Sequence, residues 1–172
     1  ALVRINTASI AIMEDLRREG VLLSGNIGPR GDAYQATEAD RDSYAAYHRA
    51  QVKALADTSA DLLSGMTLPT VAEAVGLLDA ARGLGKPVVI SYTVETDGKL
   101  PDGTPLDQAI VLADEMTDGA AAYFMVNCAH PDRLEPAFAG GVSDRLKGVV
   151  ANASRCSHAE LDEATELDDG DP

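Results

Sequence analysis

Basic residues are scarce in this chain: 14 lysines and arginines stand against 28 aspartates and glutamates, for a net charge of −14. No Lys/Arg run is long enough to follow a phosphate backbone, so nucleic acid and anionic membrane surfaces are poor partners. Long apolar runs are missing too. None approaches the roughly 20 residues that span a bilayer. The N-terminal stretch carries Arg4, Glu14 and Asp15 where a signal peptide needs an apolar centre, so a soluble, cytoplasmic protein is expected. Cysteine is limited to Cys128 and Cys156, too few for a secreted disulfide framework. Neither G-x-G-x-x-G nor G-x-x-x-x-G-K-[ST] occurs. GNIGPRG at 25–31 has the wrong spacing, and Pro29 removes an amide that could hold a phosphate.

What remains is 172 residues with 45% hydrophobic and 24% charged side chains, enough for one domain over 1–172 with a sizeable core. Five short apolar runs recur: VLLSGN (21–26), ADLLSGM (60–66), PVVISYTV (87–94), AYFMVNC (122–128) and GVVANAS (148–154). They are near-continuous in apolar character, as strands covered on both faces are. Helical patterns lie between them. Leu2, Ile5, Ser9, Ile12, Met13 and Leu16 fall at three- and four-residue spacing in a segment ending at Gly20. Thr70 with Glu73 reads as a capping box opening a helix that closes at Gly85. Thr104 before Pro105 reads as an N-cap and first position, and Ser157 with Glu160 as a second capping box.

Alternation of helix and strand implies a parallel sheet with right-handed crossovers, either doubly wound or a (β/α) barrel. A barrel gathers its chemistry at the C-terminal strand ends. Here those ends carry Asn26, Thr67, Thr93 with Glu95, Asn127 with Cys128, and Asn152 with Ser154. Five strands fall short of eight, so the chain is expected to be a barrel piece with open sheet edges.

Cys128 stands at a strand mouth ahead of a helix starting near Pro131 and Asp132, a setting that favours a thiolate; the alternative is a small buried apolar side chain. CAH (128–130) and CSH (156–158) repeat a Cys-x-His pattern that parallel neighbours could bring together around zinc, while His158 is equally explained as a first-turn residue. Glu95 and Asp97 lie in a long loop, TVETDGKLPDGTPL (93–106), where Asp97 and Asp102 beside glycines read as turn residues. The acidic tail 160–172 reads as a solvated helix face ending at Gly170, and His48 as a packed or surface histidine.

Together, GNIGPRGDAY (25–34), YHRAQVKAL with ADLL (47–63), PVVISYTVETDGKLPDGTPLDQAI (87–110) and MVNCAHP (125–131) resemble the homocysteine S-methyltransferase family. The resemblance implies a zinc-dependent (β/α)8 barrel of the TIM type, with this chain supplying strands three to seven. It implies a Zn2+ held by three cysteine thiolates, with small-molecule partners: a thiol such as homocysteine and a sulfonium, ammonium or folate methyl donor. Cys128 after Asn127 matches the family's first zinc cysteine; the other two form a Gly-Gly-Cys-Cys motif on a strand beyond those matched. Many members carry Glu-Thr-x-Pro at the fourth strand's end, where the glutamate holds the amino acid's ammonium group. Met66 stands there in this chain, and Glu95 is the substitute. Substrate contacts are expected from Asn26, Thr67, Glu95, Asn127 and Asn152, and a metal ligand from Cys128. Two other readings remain open: a noncatalytic partial barrel whose edges pair with another chain or a second copy, and a zinc-independent hydrolase built on Glu95.

Overall fold

The computed structural model describes residues 1–37 and 39–170. Its elements run α1 (Leu2–Asp15), β1 (Ser24–Ile27), α2 (Arg41–Ala56), β2 (Leu62–Leu68), α3 (Val71–Ala81), β3 (Val88–Tyr92), α4 (Leu106–Thr117), β4 (Tyr123–Ala129), α5 (Pro131–Ala137), β5 (Leu146–Ala151) and α6 (His158–Glu163). The five strands form one sheet in chain order, each parallel to the next. A doubly wound sheet reverses its order at a switch point. No reversal occurs here, so the strands lie as in a sector of a (β/α) barrel.

Alternation along the strands sets two faces. Gly25 and Gly65 turn toward the helices: a Cβ on Gly25 would lie 3.2 Å from Leu55, and one on Gly65 would lie 2.9 Å from Leu77. Leu63, Ile90, Phe124 and Val126 pack into this layer, fully buried. Burial of each such side chain contributes about 1.5–3 kcal/mol. The opposite face carries Ser24, Ser64, Ser91 and Asn127, bonded across strands: Ser24 and Ser64 hydroxyls meet at 2.6 Å, and Ser91 donates to Asn127 at 2.6 Å.

Several expectations need correction. The first strand starts at Ser24, leaving Val21 and Leu22 exposed. Asp61 accepts from Leu23 N at 2.7 Å and from Arg17 at 2.6 Å, while Arg17 also donates to Val21 O, so side chains occupy this backbone before the ladder begins. β5 is not covered on both faces: Val149 and Val150 are exposed along an edge. The apolar residues expected to bury α1 also face outward, with Ile5 60%, Ile12 63% and Leu16 68% exposed; Ile10 alone in this helix is buried. α3 ends at Ala81, because Gly83 and Gly85 adopt positive φ and form the turn. Pro105, not Thr104, caps α4, since Thr104 O accepts from Leu100 N inside the preceding turn. α6 ends at Glu163 rather than running to Gly170. Its capping box is as expected. Thr70 caps α3 through Glu73 N, but the Glu73 carboxylate is used elsewhere, so that box is one-sided.

Candidate functional site

β4 ends in Val-Asn-Cys-Ala, and its register against β5 slips between Asn127 and Ala129; β2 slips against β3 between Gly65 and Leu68. These irregularities place Thr67 at φ 59° and Cys128 at φ 57°, left-handed conformations that L residues avoid and β-branched ones especially so. Each costs about 1–3 kcal/mol and persists only where its surroundings enforce it. Asn127 does so here. Its Oδ1 accepts from Thr67 N at 2.9 Å and Ser91 Oγ at 2.6 Å, while its Nδ2 donates to Thr67 Oγ1 at 2.6 Å and Cys128 Sγ at 3.1 Å. One buried amide therefore ties the ends of β2, β3 and β4 to the cysteine.

The sulfur of half-buried Cys128 faces a further hydroxyl. Thr67 Oγ1 lies 3.8 Å away, and the Tyr34 ring, stacked on His158, stands beside the same strand end. Burial first, then the neighbouring Cys128, pushes the Tyr34 phenol up to about 12, so it stays protonated at neutral pH. The Asn127 amide and the Thr67 hydroxyl thus fix the position of this sulfur at the strand end.

A second cluster adjoins the first. His158 Nδ1 lies 3.1 Å from Glu95 Oε1, its Nε2 lies 3.1 Å from Cys128 O, and its ring stacks on Tyr34 with centroids 3.5 Å apart. Buried Arg133 braces the histidine, approaching His158 Nε2 and Val94 O and donating to Cys156 O. Tyr34, Glu95 and His158, with Asp32 and Asp162, line a half-open recess of about 240 Å³.

The structure thus brings Thr67, Asn127 and Cys128 together and joins Glu95 to them through His158. Asn26 stands apart: it is exposed, accepts from Ser24, and lines a groove between β1 and α1. Asn152 Oδ1 and Thr93 Oγ1 are buried with no hydrogen-bond partner among the described residues. Asp97 and Asp102 accept from Lys99 N and Thr104 N, as turn residues do. The two Cys-x-His segments touch, with His158 Nε2 3.1 Å from Cys128 O, but among the described residues their thiols and imidazoles are not grouped to hold a metal. His130 accepts from Asp132 N and caps α5, while Cys156 N donates to Ser154 Oγ, which in turn donates to Asp168. Among the described residues no three His, Cys, Asp or Glu side chains are grouped to hold a metal. Cys128 fits one ligand position, and the described residues do not complete a set.

Sequence reasoning missed Tyr34, Ser91 and Arg133, and read His158 as a zinc candidate or a first-turn residue rather than as the partner of Glu95 and Tyr34. Tyr34 had one signal, being the sole aromatic in the Gly/Pro-rich stretch 25–34.

The family model described as homocysteine S-methyltransferase matches residues 1–168. Over 104 residues the chain is 33% identical to the homocysteine S-methyltransferase of Escherichia coli strain K12, covering 54% of this chain and 32% of that protein. The metallated form of the homocysteine methyltransferase MmuM from Escherichia coli superposes with a TM-score of 0.60 at 21% identity, over 90% of this chain and 64% of that one. Its apo form gives 0.58 at 22% identity, over 90% and 65%. The chain therefore spans just under two thirds of those solved structures, and the structural likeness speaks for a shared fold.

Proposed function

Because the chain belongs to the homocysteine S-methyltransferase family, we propose that it forms the thiol-facing rim of a zinc-dependent methyltransferase that moves a methyl group onto homocysteine or a related small thiol. The observation that carries this reading is the Asn127 clamp, which holds Cys128 in a strained conformation with donors on its sulfur. Cys128 would provide one zinc thiolate. Bound zinc would keep an acceptor thiol deprotonated near neutral pH.

The remaining roles follow from the contacts. Asn127 and Thr67 use their polar atoms on each other, on Ser91 and on Cys128, so we assign them to positioning. Glu95, with its side chain 30% exposed beside the recess, is the carboxylate available to an amino acid's ammonium group, because Met66 carries no charge. The unpartnered Asn152 Oδ1 is a further acceptor for substrate. Asn26, on a different groove, is the weakest of the expected contacts. The methyl donor is a small sulfonium, ammonium or folate compound, and the setting is the cytoplasm.

The test is methyl transfer from an isotopically labelled sulfonium donor to homocysteine by the protein that carries this chain. Cys128→Ser is expected to lower transfer by at least roughly a hundredfold while unfolding at a similar temperature. Undiminished transfer by Cys128→Ser would sink the proposal and favour carboxylate chemistry at Glu95.

A further inference from the structure

The loop from Gly28 to Thr37 is fastened at both ends to groups outside the site just described. Near its start, Arg30 N donates to Glu73 Oε1 at 2.5 Å, and the same oxygen lies 2.9 Å from His48 Nε2. Glu73 is 1% exposed and His48 is fully buried. The Arg30 guanidinium donates to Ser43 at 2.7 Å and lies over the Tyr47 ring. At the far end the Thr37 hydroxyl meets the Tyr44 hydroxyl at 2.6 Å. Between the anchors, Asp32 accepts from Tyr34 N at 2.8 Å and from Gln35, which turns the chain so that Tyr34 stacks on His158. The loop's one aromatic is thereby fixed on His158, whose Nε2 lies 3.1 Å from Cys128 O.

Glu73 sits where a capping glutamate would reach back to its own helix start, yet its carboxylate turns inward to the loop and His48. A buried carboxylate stays only where its partners compensate its desolvation. Helix capping does not require this arrangement, because the Thr70 hydroxyl already takes Glu73 N.

We propose that Glu73 is a positioning residue: with His48 it latches the Gly28–Thr37 loop so that Tyr34 covers Cys128 and His158. Its meaning for catalysis rests on the methyltransferase reading, but the latch itself is measurable without turnover. Releasing it frees Tyr34 to swing away, and exposure of the Cys128 sulfur rises by local opening rather than global unfolding.

The experiment is iodoacetamide alkylation of the full chain, with Cys128 and Cys156 quantified separately by peptide mass spectrometry. Glu73→Gln is expected to speed Cys128 alkylation by roughly tenfold, the factor that a latch weakened by about 1.4 kcal/mol gives an opening equilibrium. Cys156 should change less than about twofold, because Ser154 and Arg133 rather than the loop hold its backbone. Tyr34→Ala should give the same acceleration, and Glu73→Gln combined with Tyr34→Ala should go no faster than Tyr34→Ala alone. Should Glu73→Gln fail to fold, Tyr44→Phe releases the other anchor while keeping its ring, and the same pattern is expected. An unchanged Cys128 rate, equal acceleration of both cysteines, or additive effects in the double variant would overturn the proposal. Loss of the methyltransferase reading would leave these rates unmoved, so the two failures are distinguishable.

Discussion

Replacing Asn127 by alanine removes the amide that ties three strands to Cys128. The variant leaves Ser91 Oγ, which is fully buried, and Thr67 N without their acceptor. Each orphaned group costs about 1–3 kcal/mol, or about 4 kcal/mol for the pair. Relaxation of Thr67 or Cys128 from positive φ returns about 1 kcal/mol or more. The net loss is about 3 kcal/mol, which in a domain of this size lowers the unfolding midpoint by roughly 6–12 °C. Urea unfolding followed by circular dichroism, together with a thermal scan, measures both quantities. Asn127→Asp is the control: it keeps the accepting oxygen for Thr67 N and Ser91 but turns a negative oxygen toward the Cys128 sulfur. It should lose less stability than the alanine variant and should slow alkylation of Cys128. A loss below about 1 kcal/mol for Asn127→Ala, the worth of a single ordinary hydrogen bond, would refute the clamp argument.

Other perturbations test the remaining links. Gly76→Ala gains about 1 kcal/mol of helix propensity, but the new Cβ would lie 2.8 Å from Arg41 O and 2.9 Å from Ala45 N, backbone atoms that cannot swing aside. We therefore expect α2 and α3 to be pushed apart at a net loss of about 1–3 kcal/mol, read as a lowered melting temperature. Asp79 is held below the usual carboxylate range, first by its hydrogen bond from Arg41. A carboxylate lowered in the folded state stabilises above the unfolded value, and that contribution fades as pH falls below about 4. Asp79→Asn should flatten this part of the acid limb in urea midpoints measured against pH; an unaltered limb would remove Asp79 from the account. Glu95→Gln should raise KM for an amino-acid thiol by roughly tenfold, the worth of one charge-assisted contact, with kcat little changed; an equal KM would remove Glu95 from substrate binding.

The parts of the fold legible in the sequence are those governed by local pattern. VVISY reads as a covered strand and is buried at every residue, and Ser157 with Glu160 reads as a capping box and forms one. The Asn127-Cys128 strand terminus was likewise readable, because a parallel strand must end before its returning helix begins, whereas alternation alone left a doubly wound order open and the barrel order came with the family resemblance. What failed depended on neighbours. The stripe on α1 and the valines of β5 look like core by composition, yet nothing among the described residues covers them. Glu73 fits a local capping motif, but a buried histidine 25 positions earlier and a loop amide claim its carboxylate instead. Tyr34 and His158 come from segments at opposite ends of the chain, and no spacing rule links residues that meet only through packing.

The central claim is that Cys128 is a zinc thiolate, and zinc X-ray absorption tests it most directly on the zinc-loaded protein that carries this chain, compared with its Cys128→Ser variant. The account predicts bound zinc with sulfur at about 2.3 Å in the parent protein and one sulfur fewer, or no retained zinc, in the variant. Zinc held with the same sulfur count in both proteins would contradict it.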